Sequence, residues 1–556
     1  MARHINEEKQ EQRTLFIGLL LVVVCMMGMN LFAPKKTQPV LEEPVLSAES
    51  ETVIQELIAD ETAVIPPAKV EQKVELAEPF AVRNQLLSGQ MTTDGRFIQS
   101  TLLTYKETTQ ADSPDVQVLT PGKYETALDW VDPKGLSTSG AAWAFTAGKE
   151  LTPMTPVVLT LTQGDLAIER TLTLDEAYML TITDKVKNIG TGARHIKLMG
   201  RIDKEEGNTM TASVHEGGIG LYNGKLNEQR YSALQKKPFS TTTEGGWLGF
   251  TDKYWQTVYI LNSDFQNTAV TMAYAGGQYK TTFETPFYRL NAGEELTKTV
   301  RLFTGAKTLE LVNAYQQDLN IPRFDLTIDF GWFYFLTKPF LTFLRWLYHL
   351  VGNMGVAILL FATLLRIALL PIATKSYINM AKMRKIQPKV KILQERYKDN
   401  RLILQQEMMA LYRKEKVNPA GGCLPIFIQI PVFFALYKVL SVSILMRQAP
   451  FFGWIHDLSA PDPSSVFTAF GLLSWPIPSF LNLGVWPILM GVTMYLQQKM
   501  NPAPLDKSQA RLFKMMPIIF TFMLGRMASG LVIYWTWSNL LSIAQQKYIM
   551  KKAGVN

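Results

Sequence analysis

The spacing of hydrophobic and polar residues divides the chain into regions with different patterns. Residues 14–33 are uncharged and almost entirely apolar, about the length that a membrane-spanning helix requires. Residues 34–79 are rich in Pro, Glu and Ala and lack a sustained apolar period. We predict a cytoplasmic segment over residues 1–13, a membrane anchor over 14–33 and a flexible linker over 34–79.

A cleavable signal peptide is the alternative interpretation of the first apolar run. Its hydrophobic part would be unusually long, and no clear A-x-A cleavage site follows it. An uncleaved anchor is therefore the preferred prediction, with Arg3, Lys9 and Arg13 keeping the N-terminus in the cytoplasm.

Residues 80–330 consist largely of short segments in which apolar and polar residues alternate. Residues 166–174 (LAIERTLTL) and 178–183 (YMLTIT) are examples, and clusters of Gly and Asn such as 187–192 separate such segments. Alternation with period two, interrupted by turn residues, is typical of antiparallel strands that bury one face. We predict a large all-β sandwich, which lies on the far side of the membrane if the N-terminus is cytoplasmic.

Residues 331–350 change to a helical period. Lys338, Thr342, Arg345 and His349 fall on one helical face, and aromatic residues are frequent on the rest. This pattern predicts an amphipathic helix that lies in the membrane interface. An ordinary surface helix of the sandwich is the alternative.

The remaining apolar segments predict further membrane spans, at residues 351–374, 421–446, 485–500, 515–528 and 531–547. Residues 466–481 are also apolar, but Pro476 and Pro478 are unfavourable inside a helix. Counting that stretch as a span would also place the basic residues of 499–514 outside, against the positive-inside rule. We therefore predict an outer loop at 447–484 and six spans in all. The segments predicted to be cytoplasmic are 375–420, 501–514 and 548–556.

Arg366 is a charged residue within the apolar segment 356–371. A charge in the middle of a bilayer costs about 2.5–3.5 kcal/mol on insertion scales, so such a residue is expected to face protein or water. The alternative is an arginine that snorkels toward the headgroups. Thr363, one turn earlier, adds polarity, and we predict that Arg366 marks a hydrated cavity.

The predicted cytoplasmic hairpin, residues 375–420, is the electropositive part of the protein. Residues 375–416 contain twelve basic and four acidic side chains, a net charge of +8 that equals the charge of the whole chain. Two helices that meet near Asp399 and Asn400 are predicted here. Anionic lipid headgroups are the simplest partner, and a further hypothesis adds contact with ribosomal RNA or with apolar segments, which Met-rich surfaces accommodate.

A series of short motifs extends the analysis beyond periodicity: Met380–Met383, Gln406–Tyr412, Glu415–Pro419, Gly421–Pro425, Gln429–Tyr437, Arg447–Pro450, Trp454–Leu458, Pro487–Met494 and Ser529–Val532. In these motifs, and in their order, the chain resembles the YidC-type membrane protein insertases. The anchor, linker and outer β domain resemble the Gram-negative form of that family. The resemblance implies a periplasmic β-supersandwich related to sugar-mutarotase folds, and an insertase core made of the five C-terminal spans of a polytopic α-helical membrane protein.

The resemblance also implies a hydrophilic groove within the membrane, open to the cytoplasm and to lipid. Arg366 matches the family's groove arginine, and Thr363 and Gln429 would line the same groove. Pro431, Phe433 and Tyr534 are then the candidate contacts for a substrate segment that slides into lipid.

The implied activity is insertion and folding of nascent inner-membrane proteins, alone or beside the Sec translocon, without a cofactor or a chemical reaction. The implied partners are nascent proteins, anionic lipids and, through the basic hairpin, the ribosome and targeting factors. Lys385, Lys389, Glu407 and Met408 are the hairpin candidates. A functional monomer is expected.

Two residues depart from the family pattern. Lys438 follows Tyr437 where an uncharged residue is usual, and it lies about 180° from Gln429 on an ideal helix. We therefore assign Lys438 to the outer interface, with a role in closing the groove as the alternative. Arg526 precedes Met-Ala-Ser-Gly near the predicted outer turn, where snorkelling is expected, and a role in closing the groove is again the alternative.

Two other functions compete with the insertase. A transporter would be expected to have paired intramembrane charges and internal repeats, which the sequence does not display. A membrane-anchored carbohydrate enzyme would require acid–base groups in a cleft, and His195 and His215 are the histidines of the β region. Cys25 and Cys423 are far apart and suggest neither a disulfide framework nor a metal site.

Overall fold

The computed structural model describes residues 78–205, 214–398, 400–417, 424–466, 468, 483–501 and 507–552. They belong to one compact unit, Ala77–Asn556. Some predicted features lie outside the described residues: the N-terminal segment, the anchor, nearly all of the linker, Cys25, Cys423, Pro476, Pro478 and the end of the tail.

The first part of the described chain is built from strands. In chain order they are β1 (Pro79–Arg83), β2 (Leu87–Thr92), β3 (Phe97–Lys106), β4 (Asp115–Leu119), β5 (Tyr124–Val131), β6 (Ala144–Ala147), β7 (Glu150–Leu151), β8 (Val157–Gln163), β9 (Leu166–Leu174), β10 (Met179–Asn188), β11 (Arg194–Glu205), β12 (Gly217–Tyr222), β13 (Lys225–Arg230), β14 (Phe239–Thr243), β15 (Gly246–Thr251), β16 (Trp255–Leu261), β17 (Thr268–Ala275), β18 (Gln278–Glu284), β19 (Tyr288–Leu290) and β20 (Glu295–Ala306). A short helix, α1 (Tyr231–Leu234), follows β13, and α2 (Leu309–Asp318) follows β20.

The strands form two large sheets. One has 11 strands, ordered β14-β17-β18-β11-β5-β3-β2-β1-β7, with β19 on β11 and β4 on β3. The other has nine, ordered β13-β12-β15-β16-β20-β10-β9-β8-β6. Side chains join the two sheets: the Tyr259 hydroxyl donates to the Ala127 carbonyl oxygen at 2.8 Å. The predicted β-rich domain is confirmed.

Alternation in the sequence produces this arrangement because one face of each strand enters the core. In β11, Ile196, Leu198 and Ile202 are at most 2% exposed, while most of the residues between them are half-buried. Trp130 and Trp247 are among the largest fully buried side chains. Burial of apolar surface, at about 25 cal/mol per Å², is the main stabilising contribution of such a core.

An exit segment, residues 319–333, connects the β domain and α2 to the helices that follow. A 3₁₀ turn, Phe324–Thr327, precedes α3 (Tyr334–Val351). The predicted polar face of α3 turns toward this segment, since Lys338 forms an ion pair with Asp325 at 2.5 Å and Arg345 forms one with Glu310 of α2. Aromatic residues remain on the other side, with Phe335 at 73% and Trp346 at 57% exposure.

The helices after α3 are α4 (Met354–Ala368), α5 (Leu370–Arg396), α6 (Arg401–Lys414), α7 (Leu424–Val442), α8 (Val485–Lys499), α9 (Lys507–Leu524) and α10 (Ser529–Lys552). By length and hydropathy, no single helix of the described residues qualifies as a membrane span on its own. The pair α4 and α5 does so together, across a bend of 66°.

The break between α4 and α5 differs from the predicted continuous span over 351–374. The chain bends at Leu369, and Pro371 occupies the first turn of α5. Proline has no N–H to donate to the preceding turn, but it fits the start of a new helix. The predicted boundary at residue 374 therefore falls inside α5, which runs directly into the basic hairpin.

The basic hairpin consists of α6 and the part of α5 after residue 374. Asn400 caps α6 by accepting from the Ile403 N–H at 3.2 Å. A small apolar cluster holds the two helices together, and its buried members are Ile386, Val390, Tyr412 and Val417. Lys389 and Glu415 form an ion pair between the two sides at 2.6 Å.

Candidate functional site

Arg366 lies in the last turn of α4 and points toward α10. Its Nη2 donates to the carbonyl oxygen and the hydroxyl of Ser538, each at 3.2 Å, and to the hydroxyl of Ser542. Ser542 in turn donates to the Ser538 carbonyl oxygen at 2.7 Å. Arg366 is therefore held by another helix, which is inconsistent with an arginine extended along its own helix toward the headgroups.

The partners of Arg366 leave its charge uncompensated. Among the described residues, no carboxylate forms an ion pair with Arg366, and its Nε is buried without a hydrogen-bond partner. Hydroxyl and carbonyl oxygens accept from a guanidinium but carry no formal negative charge. The site can therefore offer a positive charge to an anionic group.

Thr363 and Gln429 lie against the same helix, α10. The Thr363 hydroxyl donates to the Leu359 carbonyl oxygen at 2.8 Å and accepts from the Trp537 indole N–H at 3.0 Å. From α7, the Gln429 amide donates to the Tyr534 hydroxyl at 3.3 Å. The structure thus brings three predicted groove residues, from two separate helices, to one side of α10.

The polar residues of α10 are functional candidates that the sequence analysis missed. Ser538, Ser542 and Gln546 recur every four residues and are at most 5% exposed, and buried Asn539 donates to Thr493 of α8 at 3.2 Å. Residues four apart share a helical face. A polar stripe with this spacing in an apolar helix is the signal that could have identified them.

Two of the three predicted substrate contacts, Phe433 and Tyr534, are buried in this structure. Phe433 is 7% and Tyr534 is 2% exposed, and the Phe433 ring packs edge-on against Trp535 with centroids 4.6 Å apart. Pro431 is half-buried within α7. A contact with a substrate through Phe433 or Tyr534 would require α7 and α10 to separate, so these roles stay predictions.

The two residues that depart from the family pattern have different surroundings. Lys438, near the end of α7, forms an ion pair with Asp329 of the exit segment at 2.6 Å. Arg526 is exposed in the turn between α9 and α10. Lys438 therefore lies where α7 meets the exit segment.

The hairpin candidates are mostly at the surface. Lys385, Lys389 and Glu407 are exposed. Met408 is half-buried and packs against the apolar cluster between α5 and α6. Met408 thus contributes to the hairpin core, whereas Lys385 and Lys389 lie at the surface of the hairpin.

The two histidines of the β domain lie beside strands and backbone groups. His195 lies on β11, opposite Arg289 of β19. The His215 ring pairs with the Gly218 carbonyl oxygen at 3.0 Å, and its backbone N–H donates to Asp329 at 2.8 Å. Within the described ranges, no three metal-ligating side chains come together.

Comparison with known families covers almost all of the described chain. Residues 80–343 match the family described as YidC periplasmic domain, and residues 346–555 match the 60Kd inner membrane protein family. The β domain and the helical part are thus the two halves of one class of membrane protein. The chain belongs to the YidC family.

Two relatives agree with this assignment in sequence. Membrane protein insertase YidC of Agrobacterium fabrum is 42% identical over 87% of this chain and 84% of its own length. The Methylobacterium radiotolerans protein of the same name is 44% identical over 89% and 84%. A crystal structure of an active YidC insertase with its first transmembrane domain resolved covers 88% of this chain and 98% of that chain, at 19% identity and a TM-score of 0.36.

Proposed function

We propose that this protein is a membrane protein insertase in which α4, α7 and α10 surround a polar groove. A short polar tail or loop of a nascent inner-membrane protein enters the groove and therefore need not cross the whole hydrocarbon layer dehydrated. The observation that carries this proposal is the bonding of Arg366 to the neutral oxygens of Ser538 and Ser542, without an acidic partner among the described residues. Such a cation attracts acidic groups of the substrate in a medium that screens less than water.

Release into lipid follows from the same arrangement. The hydrophobic segment of the substrate slides out between α7 and α10, past Pro431, Phe433 and Tyr534. Its burial in lipid is favourable by about 25 cal/mol per Å² of apolar surface. This mechanism lowers a barrier without making or breaking a bond, so the protein acts as an insertase and chaperone and requires no cofactor.

The surroundings of the groove complete the proposal. The protein crosses the bacterial inner membrane six times with both termini in the cytoplasm, and the β domain lies in the periplasm. The basic hairpin contacts anionic lipids and can receive the ribosome or targeting factors. The protein acts as a monomer, on its own or beside the Sec translocon.

Insertion into liposomes tests the proposal. Liposomes that contain the purified protein would receive a single-span nascent protein with a short acidic tail, or the same protein with Asn and Gln in place of the tail's Asp and Glu. Protection of the tail from protease measures insertion, with and without added translocon. Protection of neither tail, together with flux of small solutes, would exclude the insertase and favour a transporter.

Variants of Arg366 test its role in the same assay. Arg366→Ala should reduce protection of the acidic tail several-fold more than protection of the neutral tail. Arg366→Lys, the matched control, keeps the charge and should preserve most of this preference. An equal loss for both tails would mean that the arginine supports folding or hydration and not attraction of acidic groups.

A further inference from the structure

The carboxylate of Asp329 joins three separate parts of the chain. Its Oδ2 accepts from the Lys438 ammonium of α7 at 2.6 Å and from the backbone N–H of His215, just before β12, at 2.8 Å. Its Oδ1 accepts from the Gly331 N–H of the exit segment at 3.1 Å. The β domain, the exit segment and the outer end of α7 therefore meet at one side chain.

Little solvent reaches this ion pair. The side chains of Lys438 and Asp329 are 14% and 19% exposed. Burial opposes ionisation of Asp329, but the charge and hydrogen bond of Lys438, together with the hydrogen bond from the His215 N–H, nevertheless hold its pKa below the ordinary value. Removal of either partner would break a largely buried ion pair that links α7 to the β domain.

The backbone at Gly331 fits closely around the lysine. Gly331 has φ = +68°, and a Cβ built there would lie 3.3 Å from Cε of Lys438. The lysine stem thus packs on the exit segment while its ammonium reaches Asp329. This contact fixes the position of the stem as well as that of the charge.

A second contact holds the chain just beyond α7. Arg447 donates to the carbonyl oxygens of Lys106 and Glu107 at the end of β3, and its guanidinium lies 5.5 Å from the ring centroid of Trp255. Gln448 donates to the same Lys106 carbonyl oxygen at 2.8 Å. The outer end of α7 is therefore held by contacts at Lys438, before the helix ends at Val442, and at Arg447 and Gln448, after it ends.

The outer half of α7 also contains a predicted substrate contact, Phe433, which is buried against α10. Phe433 lies five residues before Lys438 and packs against Trp535 of α10. Pro431 lies inside the helix just before Phe433, and a proline inside a helix removes a backbone hydrogen bond and allows bending. The part of α7 after Pro431 can therefore move as a unit whose outer end is fixed by the β domain.

We propose that Asp329 and Lys438 are positioning residues through which the β domain keeps the outer half of α7 packed against α10. The inference rests on the proposed function for one consequence only. When the ion pair is broken, α7 moves away from α10 and Phe433 becomes exposed to substrate. The position of the helix itself can be measured without any substrate.

Distances between spin labels test the inference in the full-length protein. Cys25 and Cys423 would be replaced by serine, and labels attached at Phe434→Cys on α7 and Leu540→Cys on α10. The unaltered pair should give one narrow distance distribution. Lys438→Met and Asp329→Asn should each shift the distribution to longer distances and broaden it.

Two further variants separate a specific role of the pair from general damage. Lys438→Arg keeps the charge and should therefore retain the narrow distribution. Lys185→Met, which removes an exposed lysine of the β domain, should leave the distribution unchanged. A narrow, unshifted distribution in well-folded Lys438→Met would overturn the inference.

Insertion measured on the same variants keeps the two proposals distinguishable. If the unaltered protein inserts neither tail but Lys438→Met still shifts the label distance, the proposed function fails and the positioning role stands. If insertion succeeds and the distance does not respond to either single variant, the positioning role fails alone.

Discussion

Arg366 and Ser538 are joined at two atoms, since one guanidinium nitrogen donates at 3.2 Å to both the hydroxyl and the carbonyl oxygen of the serine. The carbonyl oxygen is a backbone atom, so a substitution at Ser538 cannot remove it. Ser542 provides a third acceptor one turn later. The serine hydroxyls therefore adjust the position of a cation that the helix backbone already helps to hold.

The double variant Ser538→Ala with Ser542→Ala should weaken insertion of acidic-tailed substrates less than Arg366→Ala does. A hydrogen bond to a charged group contributes about 1.5–3 kcal/mol, so loss of both hydroxyls should displace the guanidinium while its charge remains. Tail protection in liposomes measures the effect. Thr536→Val is the matched control, because the Thr536 hydroxyl bonds to the Val532 carbonyl oxygen of its own helix at 2.8 Å. A loss as large as that of Arg366→Ala would contradict this account.

Asp184→Asn should destabilise the β domain by about 3–5 kcal/mol, the usual consequence of breaking a buried ion pair. Asp184 accepts from Arg170 at 2.7 and 2.8 Å and from the Trp130 indole at 2.8 Å. Both charged side chains are at most 1% exposed. Denaturant unfolding in detergent, followed by tryptophan fluorescence, measures the change.

The next pair along the same two strands provides the control. Lys185 and Glu169 face each other one residue further along β10 and β9, at 3.6 Å and with 53% and 45% side-chain exposure. An exposed pair of this kind contributes about 0–1 kcal/mol, so Glu169→Gln should have little effect. Equal destabilisation by Asp184→Asn and Glu169→Gln would show that burial does not determine the free-energy cost of breaking an ion pair.

Periodicity predicted the β domain well because alternation reports directly which face of a strand is buried. The same reasoning identified Arg366, since a charge in an apolar segment is visible without a structure. Its serine partners were missed because they lie more than 170 residues away. The pairing of Lys438 with Asp329 depends on how the exit segment packs against α7, and no local pattern encodes that contact. The bend at Leu369 could have been inferred from Pro371, had the segment been treated as two helices.

Lys307 should make the stability of the β domain rise with pH. Burial lowers the pKa of Lys307 to about 8, and its ammonium donates to the Thr251 hydroxyl at 2.7 Å and the Asp252 carbonyl oxygen at 2.6 Å. The charged groups that act on it are Asp252, Asp329, Glu216 and Lys438. An exposed lysine in the unfolded chain keeps its proton up to about pH 10.4. Above pH 8 the folded protein releases the proton first, and stability therefore increases.

Unfolding of the detergent-solubilised protein between pH 8 and 10 measures this dependence. The free energy of unfolding should increase by about 2 kcal/mol over this pH interval, because one pKa unit corresponds to about 1.4 kcal/mol. Lys307→Met should abolish the rise, and Lys237→Met, at an exposed position, should keep it. The interval ends at pH 10 because burial raises the pKa of Tyr124, and its proton retention in the folded state reduces stability beyond that. A rise that persists in Lys307→Met would assign the pH dependence to another group.

Gly491→Ala should separate α8 from α9. A Cβ at Gly491 would lie 2.0 Å from the Thr521 hydroxyl oxygen and 3.3 Å from Thr521 Cβ, so the threonine or its helix must move. Small residues allow such close approach of helices in membranes. Overpacking of this kind costs about 1–3 kcal/mol, and thermal unfolding in detergent measures the loss.

A second substitution decides whether the contact with Thr521 is the cause. Thr521→Ala removes the hydroxyl, so the double variant Gly491→Ala with Thr521→Ala should recover much of the stability lost in Gly491→Ala. The adjacent residue provides the control, because Val492 is 49% exposed and Val492→Leu adds volume without meeting α9. If the double variant is as unstable as the sum of its single variants, the two sites act independently. The close approach of α8 and α9 would then depend on residues other than Gly491 and Thr521.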